Sequence, residues 1–217
     1  MSRQDPLVIM GGAFDPVHFG HLRTALEVRD CLRAGELRLI PSAMPPHRAP
    51  HIATPTQRLA MLNAAVQGIS WCTVDERELR RPGPSYTVDT LAELRAENGD
   101  RSLCIILGMD AFRGLTGWHR WAEICDLAHL VVAHRPGWIP PADGQLGELL
   151  AARAAVSPDE LRRQPAGLIL VKEVTQLEIS SSAIRSMLAA GEDPRFLVPD
   201  AVREIIRSSE CYGSRSD

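Results

Sequence analysis

The chain has 217 residues, 45% of them hydrophobic and 24% charged, with a formal net charge of −3. That length and balance suit one well-filled globular domain with a small appendage and exclude a disordered or fibrous chain. The charges are scattered with no basic block, and no apolar run approaches the ~20 residues of a membrane helix, so neither a nucleic acid nor a membrane is expected as a partner.

Strand-like and helix-like segments alternate along the chain, which predicts an α/β fold with a parallel sheet covered by helices. The apolar run Leu7-Val8-Ile9-Met10 opens a first strand over 7–11. It leads into Gly11-Gly12-Ala13-Phe14-Asp15-Pro16-Val17-His18-Phe19-Gly20-His21. Paired glycines let backbone N–H groups approach an anion closely, and a helix starting near His18 points its positive end at the same place. His18 and His21, three residues apart, share one face of that helix. A plain turn with two surface histidines is the competing reading. Zinc is not expected, because the pair lacks the i, i+4 spacing and the glutamate of a zinc-protease helix.

Phe19, Leu22, Leu26 and Leu32 carry a helical period over 19–33, with Gly35 as its stop. A short strand follows over 37–40. Residues 41–54 are proline-rich and include Met44-Pro45-Pro46-His47-Arg48, which predicts a surface loop beside the first one. Thr54-Pro55-Thr56-Gln57 supplies an N-cap, a proline at the first helical position and a capping-box glutamine for a helix that Gly68 closes. A third strand is expected over 69–74, a polar loop over 76–86 and a helix over 87–98.

The fourth strand, 103–107, runs into Gly108-Met109-Asp110. A helical stretch over 115–124, bearing Trp118 and Trp121, separates it from a fifth strand over 130–133, which ends in His134-Arg135-Pro136-Gly137. A weak helix near 146–156 and a short one opened by a Ser157 to Glu160 capping box precede the last strand, 167–174. The helix that begins at Ser181 is stopped by Gly191, and another begins at Pro199 and ends near 208. Five cysteines form no Cys-x-x-Cys pair, and the N-terminus enters the first strand directly, which fits a reducing cytoplasm without export. The loops after strands one, four and five and the helix start at Ser181 are expected to converge at the switch point of the sheet.

Two of these segments carry a resemblance. The run Gly11 to His21 resembles the glycine-rich, His-x-Gly-His signature of the nucleotidyltransferase superfamily, and Ile179-Ser180-Ser181-Ser182-Ala183-Ile184-Arg185 resembles its second motif. Pro45-Pro46-His47-Arg48, Ser85-Tyr86-Thr87-Val88-Asp89-Thr90-Leu91, and Gly108-Met109-Asp110 with Leu115-x-x-Trp118-x-x-Trp121 narrow it to the bacterial nicotinate mononucleotide adenylyltransferases, across nearly the whole chain. The family more often carries threonine where Ser182 stands.

The resemblance implies a Rossmann-like doubly wound domain over 1–178 and a small helical part over 179–217 that completes an ATP site. It implies adenylyl transfer from ATP to nicotinate mononucleotide in NAD biosynthesis, by direct attack, with Mg2+ accompanying the ATP. Transfer of this kind needs positioning and charge stabilisation more than covalent chemistry. His18, His21, His47 and Arg185 are then the candidate catalytic residues.

Gly11, Gly12, Phe14, Gly108, Asp110, Ser181 and Ser182 join His18, His21 and Arg185 around ATP. For Asp110 the competing reading is a helix N-cap, and for Ser181, Ser182 and Arg185 an ordinary cap followed by a solvated arginine. Tyr86 and Thr87 at a helix start, the Trp118 ring, His47 and Arg48 are implied on the substrate side, with Arg135 near either the adenine or the pyridine carboxylate and Trp121 left to the core. A related transferase for nicotinamide mononucleotide or phosphopantetheine is the nearest alternative, and a non-catalytic nucleotide-binding regulator is the alternative of a different class. Oligomeric state leaves no mark in the sequence.

Overall fold

The computed structural model describes residues 5–43, 51–134, 137, 139, 141–175 and 177–213. Six strands, β1 (Leu7–Gly12), β2 (Glu36–Pro41), β3 (Cys72–Val74), β4 (Leu103–Gly108), β5 (His129–His134) and β6 (Ile169–Glu173), form one sheet. They lie in the order β3-β2-β1-β4-β5-β6, and every adjacent pair is parallel. Parallel neighbours need crossovers, and helices supply them. α1 (Phe19–Cys31) and α2 (Pro55–Ala65) serve β1 to β3; α3 (Arg77–Arg80) and α4 (Thr87–Asn98) lead to β4. α5 (Met109–Arg113) and α6 (Ile124–Leu127) lead to β5, and α7 (Gly144–Arg153) and α8 (Pro158–Leu161) lead to β6. This is the expected Rossmann-like, doubly wound order.

Alternate residues of the strands feed two cores, one on each face. Val8, Cys104, Ile106 and Val131 pack with Val28 and Leu62 on one side. Leu7, Ile9, Ile105 and Leu107 pack with Val88, Leu91 and Phe112 on the other. Because both faces are covered, β4 and β5 read as unbroken apolar runs. The last two helices, α9 (Ser181–Ala189) and α10 (Asp200–Ser209), send Ile184, Val202 and Ile206 into the first of these cores, with α10 against α2. Among the described residues no helix is long and apolar enough to cross a membrane.

Local signals hold where they are strongest. Thr54 caps α2 with the full reciprocal box to Gln57, and α4 spans the predicted residues. Several expectations need correction. The third strand is shorter than 69–74, because the Ile69 N–H turns back to the Val66 carbonyl and its own carbonyl takes the Cys72 N–H. The polar loop over 76–86 contains α3, and α5 follows β4 directly.

The stretch 115–124 is not one helix. It makes two 3-10 turns, Leu115–Gly117 and Trp121–Glu123, broken at Arg120 by a left-handed φ of 49°. Arg120 is held there by a forked ion pair to Glu123. At α8 the Ser157 hydroxyl reaches the Glu160 carboxylate at 3.3 Å and not the backbone N–H that a capping box requires.

Candidate active site

The switch in strand order falls between β1 and β4. Their pairing lasts only from Leu7 with Leu103 to Ile9 with Ile105, after which the strands part. A cleft of about 680 Å³ occupies the gap, lined by Met10 to Gly12 from β1 and by Ile105 to Gly108 from β4. Its mouth therefore lies at the carboxyl ends of the strands, the place where open α/β sheets bind ligands.

The glycines behave differently there. A Cβ on Gly11 would meet no atom within 4 Å, so bare backbone faces open space, whereas one on Gly12 would press on the Phe14 ring at 3.3 Å. Phe14 takes a left-handed φ of 48° and lays its buried ring edge-on to His21, centroids 5.1 Å apart. His18 stacks on His21 with ring centroids 3.7 Å apart. His21 lines the cleft; His18 stands behind it, buried. Gly20 makes this possible: a Cβ there would come within 2.9 Å of His18 Nδ1.

Burial lowers the His18 pKa to about 4, and burial with the adjacent His18 lowers that of His21 to about 3. Both imidazoles are thus neutral near pH 7, each with one N–H to donate. Among the described residues their Nδ1 atoms are buried without a hydrogen-bond partner, which leaves Nε2 as the His21 nitrogen that a ligand in the cleft can reach.

A pH consequence follows. In the unfolded chain both histidines titrate near the ordinary value of 6.5, so the unfolded state takes up protons first as the pH falls. Stability from this pair is complete above pH 6.5 and declines toward about 4 and about 3. Urea midpoints are expected to drop between pH 7.5 and pH 5, above most carboxylate titration. The drop should shrink in His18→Gln, with buried His129, also lowered by desolvation, accounting for a remainder. An undiminished drop in that variant would contradict the assignment.

The second motif meets the first. Ser180, not Ser181, is the N-cap of α9, its hydroxyl accepting the Ala183 N–H at 3.1 Å. The Ser181 hydroxyl donates to the Pro16 carbonyl at 2.9 Å, so its proton is committed within the protein. Arg185 donates to the Asp15 carbonyl at 2.7 Å and to the Ser182 hydroxyl at 3.2 Å. Two segments about 165 residues apart in sequence are sewn edge to edge, and Ser181, Ser182 and Arg185 all line the cleft with His21.

The opposite wall is built from α4 and the residues after β4. Tyr86 is the N-cap residue of α4 and its own side chain makes no capping hydrogen bond, so the first N–H groups beside Thr87 are not taken by a cap from that residue. Trp118, half-buried, rests on the second core and lines the cleft; Trp121 packs only on that core. Asp110 also lines the cleft, and it is not a cap, since Gly108 holds that position in α5. His47, Arg48 and Arg135 lie outside the described residues.

Four residues in or beneath the cleft were not assigned to the site from sequence. His119 lies over Tyr86 with ring centroids 4.3 Å apart. Glu78 is buried, accepts the Thr90 hydroxyl proton at 2.7 Å, and has its pKa raised by desolvation. Ser85 accepts the Ala43 N–H at 3.1 Å. Arg58, with no exposed surface, donates to the Ala13 carbonyl at 2.7 Å beneath the glycine turn. Glu78 and Arg58 left no sequence signal, each standing in a charged run or a helix that looks solvated; Ser85 and His119 adjoin residues already singled out.

Comparison with known proteins gives a consistent picture. The cytidylyltransferase-like family model matches residues 9–187. The chain is 51% identical over 205 residues to "Probable nicotinate-nucleotide adenylyltransferase" of Halorhodospira halophila, covering 94% of each chain. It is 47% identical over 216 residues to the protein of the same description from Hahella chejuensis, covering 99% of each. Among solved structures, the Plasmodium falciparum nicotinic acid mononucleotide adenylyltransferase complexed with NaAD superposes with a TM-score of 0.71 at 14% identity, covering 96% of this chain and 98% of that one. At that identity the likeness concerns the fold.

Proposed function

This chain belongs to the cytidylyltransferase-like family, and on that premise we propose how it works as a nicotinate-nucleotide adenylyltransferase, joining nicotinate mononucleotide to the adenylyl group of ATP. The observation that carries the reading is the meeting of the two motifs, Ser181 on Pro16 and Arg185 on Asp15, along the cleft that holds His21. The product is nicotinate adenine dinucleotide, a step of NAD biosynthesis.

In the reaction a phosphate oxygen of the mononucleotide attacks the α-phosphorus of ATP. The bond from that phosphorus to the bridging oxygen breaks, and pyrophosphate leaves. Two anions must be brought together, so the protein supplies oriented donors and alignment. The bare turn at Gly11 and Gly12 lets the triphosphate lie against backbone. His21, backed by His18, donates a neutral imidazole N–H to the α-phosphate as charge builds there. Ser182 and Arg185 at the head of α9 hold the outer phosphates, and Asp110 accepts from a ribose hydroxyl beside Gly108.

The pyridine ring stacks on Trp118, and its carboxylate is met by the first helix N–H groups at Tyr86 and Thr87. His47 and Arg48 complete the acceptor side by the family pattern, with Arg135 near the adenine or the pyridine carboxylate. Mg2+ bound to the triphosphate would supply charge neutralisation there. The ion would be held chiefly by phosphate and water, since the Asp15 carboxylate is already taken by Ile52, Ala53 and Tyr212. We place the enzyme in the cytoplasm, a reading supported by five free thiols.

The test is pyrophosphate release from MgATP with nicotinate mononucleotide, nicotinamide mononucleotide or phosphopantetheine as acceptor. The first is expected to be the best substrate. Faster turnover of either of the others, or none with any, would overturn the reading.

A further inference from the structure

We infer that Tyr212 and Asp15 form a latch through which the C-terminal segment positions the donor side of the cleft. The inference rests on the reading that this cleft takes ATP. Tyr212 follows the end of α10 and is 4% exposed, packed into the core that α1 and α2 cover. It does not line the cleft. A phenylalanine would fill that core as well, and a buried hydroxyl is costly unless it is paired. The hydroxyl donates to Asp15 Oδ1 at 2.7 Å, across 197 positions of sequence.

Asp15 is a junction. Its carboxylate also accepts the Ile52 N–H at 2.8 Å and the Ala53 N–H at 3.0 Å, fixing the segment that enters α2. Its carbonyl accepts Arg185 at 2.7 Å. Displacing the carboxylate therefore moves the peptide from which Arg185 hangs, as well as residues 52 and 53. Tyr212 contacts no reacting atom on this account; it is a positioning residue that acts through Asp15 and Arg185. Burial and the facing carboxylate push its phenol pKa up, so the hydroxyl keeps its proton to donate at every working pH.

The chain holds two tyrosines, Tyr86 and Tyr212, so labelling with 3-fluorotyrosine yields two fluorine resonances, assigned with Tyr86→Phe. ATP alone is expected to shift the Tyr212 resonance, whereas nicotinate mononucleotide alone should shift that of Tyr86 and leave Tyr212 in place. Tyr212→Phe should raise the KM for ATP about tenfold, the scale of one lost buried hydrogen bond to a charged group, with the KM for the mononucleotide unchanged. A tyrosine that only supported the fold would move both constants together.

A Tyr212 resonance that stays still while calorimetry shows ATP bound, or an ATP KM within twofold of wild type in the folded variant, overturns the latch alone. Absence of ATP binding by the unsubstituted protein overturns the cleft reading and the latch with it. The resonance measurement stands even where Tyr212→Phe does not fold.

Discussion

His21→Ala is expected to leave the fold intact and to reduce turnover by about 10²–10³, the usual loss when one oriented donor to a developing charge is removed. His21 lines the cleft and is only half-buried, so truncation leaves no large internal void. What is lost is a neutral N–H held against the Phe14 and His18 rings. His18→Ala should lose catalysis to a similar degree for a different reason. His18 is the wall against which His21 rests, and without it the donor is free to rotate away. Because the two rings act as one stack, the double variant should fall little further than either single one. Pyrophosphate release at saturating substrates measures all three. Near-normal turnover in either folded single variant would remove that ring from the chemistry, and additive losses would mean that the two rings act independently.

Arg185→Lys is expected to lose more than tenfold in kcat although the charge is kept, and Arg185→Ala about 10²–10³. The guanidinium spends one nitrogen on the Asp15 carbonyl and another on the Ser182 hydroxyl. A lysine offers a single point charge and cannot hold the glycine-loop peptide while facing a phosphate. The thermal midpoint of the lysine variant should stay close to wild type, since the other tie, Ser181 to Pro16, remains. Steady-state kinetics with varied ATP would decide the matter: a lysine variant with kcat within twofold of wild type would mean that charge alone is used.

The sequence by itself determined the alternating strands and helices, the capping box at Thr54, the extent of α4, and the two motifs at His18 to His21 and Ser181 to Arg185. These are local properties. Periodicity, caps and glycine turns depend on residues within a few positions of one another, so they survive without any tertiary contact. The Trp118 region misled because its breaking point is an arginine in a left-handed conformation, which no turn residue announces.

Only the tertiary structure decided how the site is held. The Ser181 hydroxyl is tied to the Pro16 carbonyl, a partner 165 positions away that no local pattern announces. For Asp110 the competing reading as a helix cap fell away only when the fold gave that place to Gly108. Glu78, Arg58 and Tyr212 carry no signal in the sequence, and they take on roles only through burial against the Thr90 hydroxyl, the Ala13 carbonyl and the Asp15 carboxylate. A buried polar atom must find a partner wherever the chain brings one, often more than a hundred residues away, and that choice follows from packing rather than from neighbouring sequence.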